Sequence, residues 1–340
     1  MRLAVLDDYQ GYAVNQVDWS TLPGVTVVSF RDHVHDPDLL VARLQGFDAV
    51  MRIRERTEFP REVLERLPDL RLFLCTGMRN ARSIDLPTCD RLGITVCTTD
   101  ALHQTTVELT IWLIIALMRG LRREIDSVRA GGWQIGTGTA LNGRTLGVVG
   151  LGNMGIPVAR ICQLMGMEVI AWSRNLTQER AAPHGVTAVT KEELFRRADI
   201  VTLHLPHSDT TERTVGATEL AWMKPGAKLV NTARPKLLDE AAVLEALRSG
   251  RLGGLGLDVF EVEPLPLDHP FRHHPAVVAT PHIGFVVEQN LRMFFDTTIG
   301  NIRAWQAGRP VNTISGAQPY LPDSQVAQQM HKQKLAAAGA

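Results

Sequence analysis

Residues 145–155 read TLGVVGLGNMG. An apolar run, Thr145–Val149, leads straight into Gly150, Gly152 and Gly155, and a helical pattern, Ile156–Met165, follows. In a GxGxxG turn the first glycine permits a tight bend, the second lets backbone approach a pyrophosphate, and the third lets the helix pack close on its strand. Glycine spacing alone is a weak signal. Here a second apolar run, Glu168–Trp172, completes a strand–helix–strand unit. The stretch therefore predicts a parallel sheet with a dinucleotide site on Gly150, Gly152, Asn153, Met154 and Gly155. The amides of Asn153 and Met154 would face the phosphates at the positive end of the helix.

Outward from this turn, short apolar runs alternate with helical patterns along most of the chain. Strands are expected at Leu3–Leu6, Val25–Phe30, Ala49–Ile53, Leu72–Thr76 and Thr95–Thr98. A second series runs through Ile200–Leu203, Lys228–Thr232, Gly254–Val259 and Val277–Ala279. Strands apolar on both faces, each followed by a helix, argue for parallel sheets covered on both sides. A long apolar helix, Glu108–Leu121, precedes the glycine turn. Hinges are expected near Ala101–Thr105 and Val286–Asn290. The last helix, Glu288–Trp305, repeats Leu291, Phe294, Phe295, Ile299 and Ile302 on one face, which is a core-packing stripe. It is expected to return to the first domain. The reading is an α/β protein of two Rossmann-like or flavodoxin-like domains: 1–101 plus 288–315 as a discontinuous substrate domain, 102–287 as the dinucleotide domain, and 316–340 as a tail.

Composition narrows the function. The 340 residues are 45% hydrophobic, with 36 Lys plus Arg balanced by 36 Asp plus Glu. Zero net charge argues against a nucleic-acid surface or a polybasic membrane patch. The longest uncharged apolar stretch, LTIWLIIALM at 109–118, is far short of the ~20 residues a bilayer requires. Asp7 and Asp8 interrupt the N-terminus where a leader would be apolar. Four cysteines lack metal or redox spacing, and His269, His273 and His274 lack a carboxylate or thiol at a ligand spacing, so no metal is expected. These features point to a soluble, cytoplasmic protein.

The position after the second strand chooses the cofactor. An Asp or Glu there hydrogen-bonds the adenosine ribose of NAD. Eighteen residues after Gly155, this chain has Ser173, followed by Arg174. Ser173 can donate to a 2′-phosphate and Arg174 can clamp it. One such charge contact at ~4 Å is about 4 kcal/mol before desolvation, at an effective dielectric near 20. The pair favours NADP(H), with NAD(H) the alternative if Arg174 is merely a solvated surface group.

GLGNMG at 150–155, HLP at 204–206, VNTAR at 230–234, LDVFEVEP at 257–264 and TPHIG at 280–284 occur in this order. Together they resemble the D-isomer-specific 2-hydroxyacid dehydrogenases, a family that includes glyoxylate/hydroxypyruvate reductases and phosphoglycerate dehydrogenases. The resemblance runs from about residue 45 to residue 315. It implies two domains with a cleft between them, closing about the hinges. It also implies a catalytic set of Arg234, Glu263 and His282. Arg234 would hold a 2-oxo acid carboxylate and polarise the carbonyl. His282 would exchange the proton as hydride reaches or leaves the carbon, supported by Glu263. Glu261 is the competing carboxylate, less well matched to the family spacing. Leu205, Pro206, Thr232, Ala233, His282 and Gly284 would border the cofactor, and Asp258 would accept from its carboxamide. TGMRNARSID at 76–85 resembles the substrate loop, which implies carboxylate contacts from Gly77, Met78 and Arg79. Arg54, in RIRERT at 52–57, is a further substrate candidate, with a solvated charge run the plain alternative.

Where the family usually has glycine after the substrate arginine, this chain has Pro235, which fixes φ and removes an amide donor. This alters the expected mouth of the site and its substrate range. The resemblance also implies a homodimer through the cofactor domain, with Glu108–Leu121 and the loop to Asn142 in contact. A formate-type dehydrogenase would carry glutamine in place of Glu263. A non-catalytic, corepressor-like nucleotide sensor is the binding-module alternative, and a structural protein with a vestigial site is the last. The favoured reading is a reductase of small 2-oxo acids of the glyoxylate or hydroxypyruvate type.

Overall fold

A computed structural model of the chain describes residues 1–77 and 83–315. Met78, Arg79 and the 316–340 tail lie outside the described residues. The chain folds as two compact units. Among the described residues one takes in Met1–Leu102 and 286–315, and the other His103–Phe285.

The first unit holds β1 (Arg2–Leu6), β2 (Thr26–Ser29), β3 (Ala49–Arg52), β4 (Leu72–Cys75), β5 (Thr95–Thr98) and β13 (Thr313–Ile314), in spatial order 13-5-4-3-1-2. The first five strands are parallel and follow the flavodoxin-like 2-1-3-4-5 order. β3 and β4 are buried along their whole length because both faces are covered. Asp36 starts the helix Pro37–Leu44 by accepting from the amides of Asp38 and Leu39, and the helix buries Leu40, Val41 and Leu44. The terminal helix runs Glu288–Gln306 and sinks Leu291, Phe294, Phe295 and Ile302 into this unit. Phe295 stacks on Tyr12 at 5.4 Å, and Asn301 Nδ2 donates to the Thr98 carbonyl. β13 has no counterpart in the sequence pattern. It exists because it covers the edge of β5, antiparallel to it.

In the second unit lie β6 (Thr145–Val149), β7 (Glu168–Trp172), β8 (Thr187–Ala188), β9 (Ile200–Leu203), β10 (Lys228–Asn231), β11 (Gly254–Leu257) and β12 (Val277–Ala279). All are parallel, in the order 8-7-6-9-10-11-12. The order reverses between β6 and β9, the place where open parallel sheets bind ligands. The expected helix Glu108–Leu121 is longer and broken. It spans Gln104–Arg119, and at Gly120, whose φ is +64°, the chain turns by 74° into a second helix, Leu121–Arg129. Glycine takes this left-handed cap without the Cβ penalty. Among the described residues no single helix is long and apolar enough to cross a membrane.

Register makes the functional edge. Val149 pairs with Leu203, Leu203 with Asn231, Asn231 with Leu257, and Leu257 with Ala279. The residues that follow these strand ends, Gly150, His204, Thr232, Asp258 and Thr280, therefore form one row along the carboxyl edge. Five motifs scattered over 130 positions begin side by side.

Candidate active site

Gly150 leaves β6 with φ +100°, and its amide donates to the Trp172 carbonyl at 2.8 Å. A Cβ there would sit 2.9 Å from the carbonyl carbon of His204, so the backbone just past β9 demands glycine. A Cβ on Gly155 would lie 2.1 Å from the Gly150 carbonyl oxygen, which keeps the helix Gly155–Leu164 against the turn. Gly152 differs: a Cβ there meets nothing within 4 Å, so open space lies above its backbone. No side chain caps this helix, and Asn153 is exposed beside that space. An open backbone cradle with uncapped amides fits a dinucleotide diphosphate. Ser173 is half-buried just past β7, and Arg174 is exposed, donating through Nη2 to the Thr210 carbonyl at 3.2 Å. Leu205 packs on the core, with Cδ2 3.0 Å from a Cβ built on Gly150, so it lines the floor of the turn. Pro206, half-buried, accepts from Thr211 Oγ1 at its carbonyl.

Asn231, which the sequence reading did not single out, shapes the arginine loop. Its Oδ1 accepts from the Ala233 amide and its Nδ2 donates to the Arg234 carbonyl. An Asx-type turn in VNTAR was the available signal. Arg234 is half-buried, and its Nη1 donates to the Ala233 carbonyl at 2.8 Å. Pro235 opens a single 3-10 turn, Pro235–Leu237, where its fixed φ suits a first helical position.

His282 and Glu263 meet: Nδ1 lies 2.6 Å from Oε2. The second oxygen of Glu263 accepts from the Phe260 amide at 2.9 Å, so the carboxylate is held at both ends. Glu261 is exposed. With Nδ1 facing a carboxylate, Nε2 is the ring nitrogen left for a reacting oxygen. The pair is about one-fifth exposed on each side, as a group exchanging a proton with a ligand requires. Phe285 packs edge-on to the imidazole at 5.7 Å.

His282 has φ +53°, a left-handed conformation that costs a non-glycine residue of order 1 kcal/mol or more. Asp258 holds it there. This carboxylate is 1% exposed and accepts from Thr280 Oγ1 (2.7 Å), the Ile283 amide (2.8 Å) and the Gly284 amide (2.8 Å). Burial pushes its carboxyl upward from the usual range, opposed by the nearby His282 and these three donors. Asp258 thus binds the histidine loop, and a carboxylate with three donors on its two oxygens still has an acceptor site for the carboxamide contact implied by resemblance. Gly284 is wedged between Asp258 and Thr106, since a Cβ there would lie 3.0 Å from Asp258 Oδ2 and 3.1 Å from Thr106 Oγ1.

In the first unit, Arg54 has φ +59°, and its amide donates to Thr76 Oγ1. The Gly77 N–H has an acceptor within the chain. The amide donates to Thr99 Oγ1 at 2.9 Å, and a Cβ would overlap the Arg54 guanidinium. One amide carries one proton, so this donor is already engaged. All four cysteines are buried thiols; burial pushes Cys75 to about 11 and Cys89, Cys97 and Cys162 to about 12. No group of three or more His, Cys, Asp or Glu suited to a metal occurs among the described residues.

Residues 111–284 match the family model for the D-isomer specific 2-hydroxyacid dehydrogenase NAD binding domain. The D-3-phosphoglycerate dehydrogenase of Bacillus subtilis is 36% identical over 244 residues, covering 71% of this chain and 46% of that protein. The glyoxylate reductase of Aeropyrum pernix is 37% identical over 268 residues, 75% of this chain and 79% of that one. A crystal structure of a phosphoglycerate oxidoreductase from Vibrio cholerae O395 superposes with a TM-score of 0.86 at 34% identity, covering 91% of this chain and 99% of that chain. Against the phosphoglycerate dehydrogenases it matches, the chain spans about half their length.

Proposed function

The chain belongs to the D-isomer specific 2-hydroxyacid dehydrogenase family, and on that premise we propose that it interconverts a small 2-oxo acid and its D-2-hydroxy acid. The observation that carries this reading is the His282–Glu263 pair, 2.6 Å apart on the sheet edge that also carries the glycine turn. A nicotinamide cofactor, when bound, supplies or accepts the hydride. Arg234 holds the substrate carboxylate and polarises the adjacent carbonyl. His282 donates a proton from Nε2 to the carbonyl oxygen in reduction and takes it back in oxidation. Glu263 fixes the ring orientation by holding Nδ1, which leaves Nε2 for the substrate oxygen. One hydride and one proton add across the C=O, which balances the reaction.

A reductase of the glyoxylate or hydroxypyruvate type is the favoured substrate class, supported by the relative named glyoxylate reductase. NADP(H) is the favoured cofactor, because Ser173 and the exposed Arg174 stand where an acidic residue would repel a 2′-phosphate. A homodimer is proposed through the region 108–142, where Trp112, Ile125, Val128, Trp133 and Ile135 are exposed.

The test is a kcat/KM panel of glyoxylate, hydroxypyruvate and phosphohydroxypyruvate with NADPH and NADH, on the wild type and Arg174→Ala. Turnover of a 2-oxo acid with NADPH preferred, and that preference lost in R174A, is the expected result. Cofactor binding without turnover of any 2-oxo acid refutes the reaction and favours a nucleotide sensor. NADH preference untouched by R174A refutes the cofactor assignment.

A further inference from the structure

Two catalytic loops rest on one helix through a chain of hydroxyls. Thr106 and Thr110 lie one turn apart near the start of the helix Gln104–Arg119. Thr106 Oγ1 donates to the Gly284 carbonyl at 3.1 Å, in the loop that carries His282. Thr110 Oγ1 donates to the Thr106 carbonyl at 2.8 Å and lies 2.7 Å from Thr232 Oγ1, in the loop that carries Arg234. A hydroxyl has one proton. Since Thr110 gives its proton to Thr106, Thr232 is the donor in the second contact. Thr110 is 0% exposed and Thr232 7%, so water does not replace either partner.

The helix is a firm base for this chain. It sits directly on β11 at glycines: a Cβ on Gly256 would lie 3.3 Å from Leu113 Cβ, and one on Gly254 3.2 Å from Leu117 Cδ2. On the loop side, Gly284 leaves no space for a side chain, because Asp258 and Thr106 both crowd the position a Cβ would take. Phe285, the next residue, packs on the His282 ring. A shift of the Gly284 carbonyl is therefore passed to the imidazole through two neighbours, the Asp258 clamp and the Phe285 ring.

We infer that Thr106 and Thr110 are positioning residues, tying the His282 loop and the Arg234 loop to one helix and so setting the acid against the carboxylate holder. This inference rests on the dehydrogenase reading above. Threonine's methyl also packs, so the hydroxyl must be tested apart from the shape. Thr106→Val and Thr110→Val keep the shape and delete the bonds, whereas Thr110→Ser keeps the hydroxyl.

Two readouts separate the clamp from the reaction. Hydrogen exchange followed by mass spectrometry needs no turnover: T106V should speed exchange about tenfold in residues 280–285, and T110V likewise in 230–234. Kinetically, each valine variant should lose about tenfold in kcat/KM, mostly in kcat, and T110S should return to within about threefold of wild type. Unchanged exchange in both segments overturns the inference whatever the kinetics. T110S as impaired as T110V also overturns it, because packing would then be the cause. Faster exchange in a protein that reduces no 2-oxo acid upholds the clamp and refutes the reaction.

Discussion

Asp258→Asn isolates the force that holds His282 in its strained backbone conformation. The carboxylate receives three donors on two oxygens, two on Oδ1 and the Gly284 amide on Oδ2. Asparagine keeps a single acceptor oxygen. With it on the Thr280 and Ile283 side, the new NH2 faces the Gly284 N–H, donor against donor in a buried site. Loss of a bond to a charged acceptor, with a buried amide left unsatisfied, costs about 1–3 kcal/mol. Relief of the buried charge, whose carboxyl is already pushed upward by desolvation, returns part of this. A net weakening of about 2 kcal/mol remains, and the left-handed φ of His282 stores strain that then drives the loop toward relaxed forms. Two kcal/mol is roughly a 30-fold change in the population holding the productive geometry. Steady-state kinetics on D258N should therefore show kcat lower by about 10- to 100-fold, with the cofactor dissociation constant, read by fluorescence, within about threefold of wild type. A D258N enzyme with wild-type kcat would refute the clamp. An equal loss in cofactor affinity would show that Asp258 acts chiefly through the cofactor contact implied by resemblance.

Two more outcomes follow from other groups. Half-buried His204 lies 3.1 Å from Thr202 Oγ1, and burial of its imidazole pushes it down from 6.5 to about 4. The unfolded chain takes up this proton first, so the stability it contributes is complete above pH 6.5 and is lost as pH falls towards 4, by roughly 3 kcal/mol. Urea unfolding at pH 7 and 4.5 should show a smaller acid loss in His204→Asn; identical losses would refute the assignment. Trp133 is 74% exposed in the proposed dimer surface, and Trp133→Glu should shift sedimentation toward the monomer without unfolding the chain. A monomeric wild type would remove that surface from consideration.

Local signals carried much of the architecture. TLGVVGLGNMG was legible because strand, turn and helix are adjacent in the chain, and Gly150 and Gly155 answer constraints set by near neighbours and by the residue after β9. The alternating apolar runs likewise announced two parallel sheets, since a strand covered on both faces must be apolar throughout. Where the signal was short, it failed: β8 and β13 have two residues each, and β13 is defined by the edge it covers. The expected helix stopped at Leu121, one residue past the bend at Gly120, but the polar helix Leu121–Arg129 beyond it was not read, because it buries no residue and so shows no core-facing stripe.

Motif order by itself named Arg234, Glu263 and His282, but not their support. Only the tertiary structure showed that Glu263 is gripped by the Phe260 amide, that Gly77 gives its N–H to Thr99, and that Asp258 serves the histidine loop. The bonds that decide these roles join residues 26 (Asp258 to Gly284), 122 (Thr110 to Thr232) and 178 (Thr106 to Gly284) positions apart. Periodicity and turn chemistry report what a residue does within a few neighbours. Which hydroxyl or carboxylate meets which loop is set by the register of β9 to β12 and by the close seat of the 104–119 helix on β11, and neither exists until the sheet has formed.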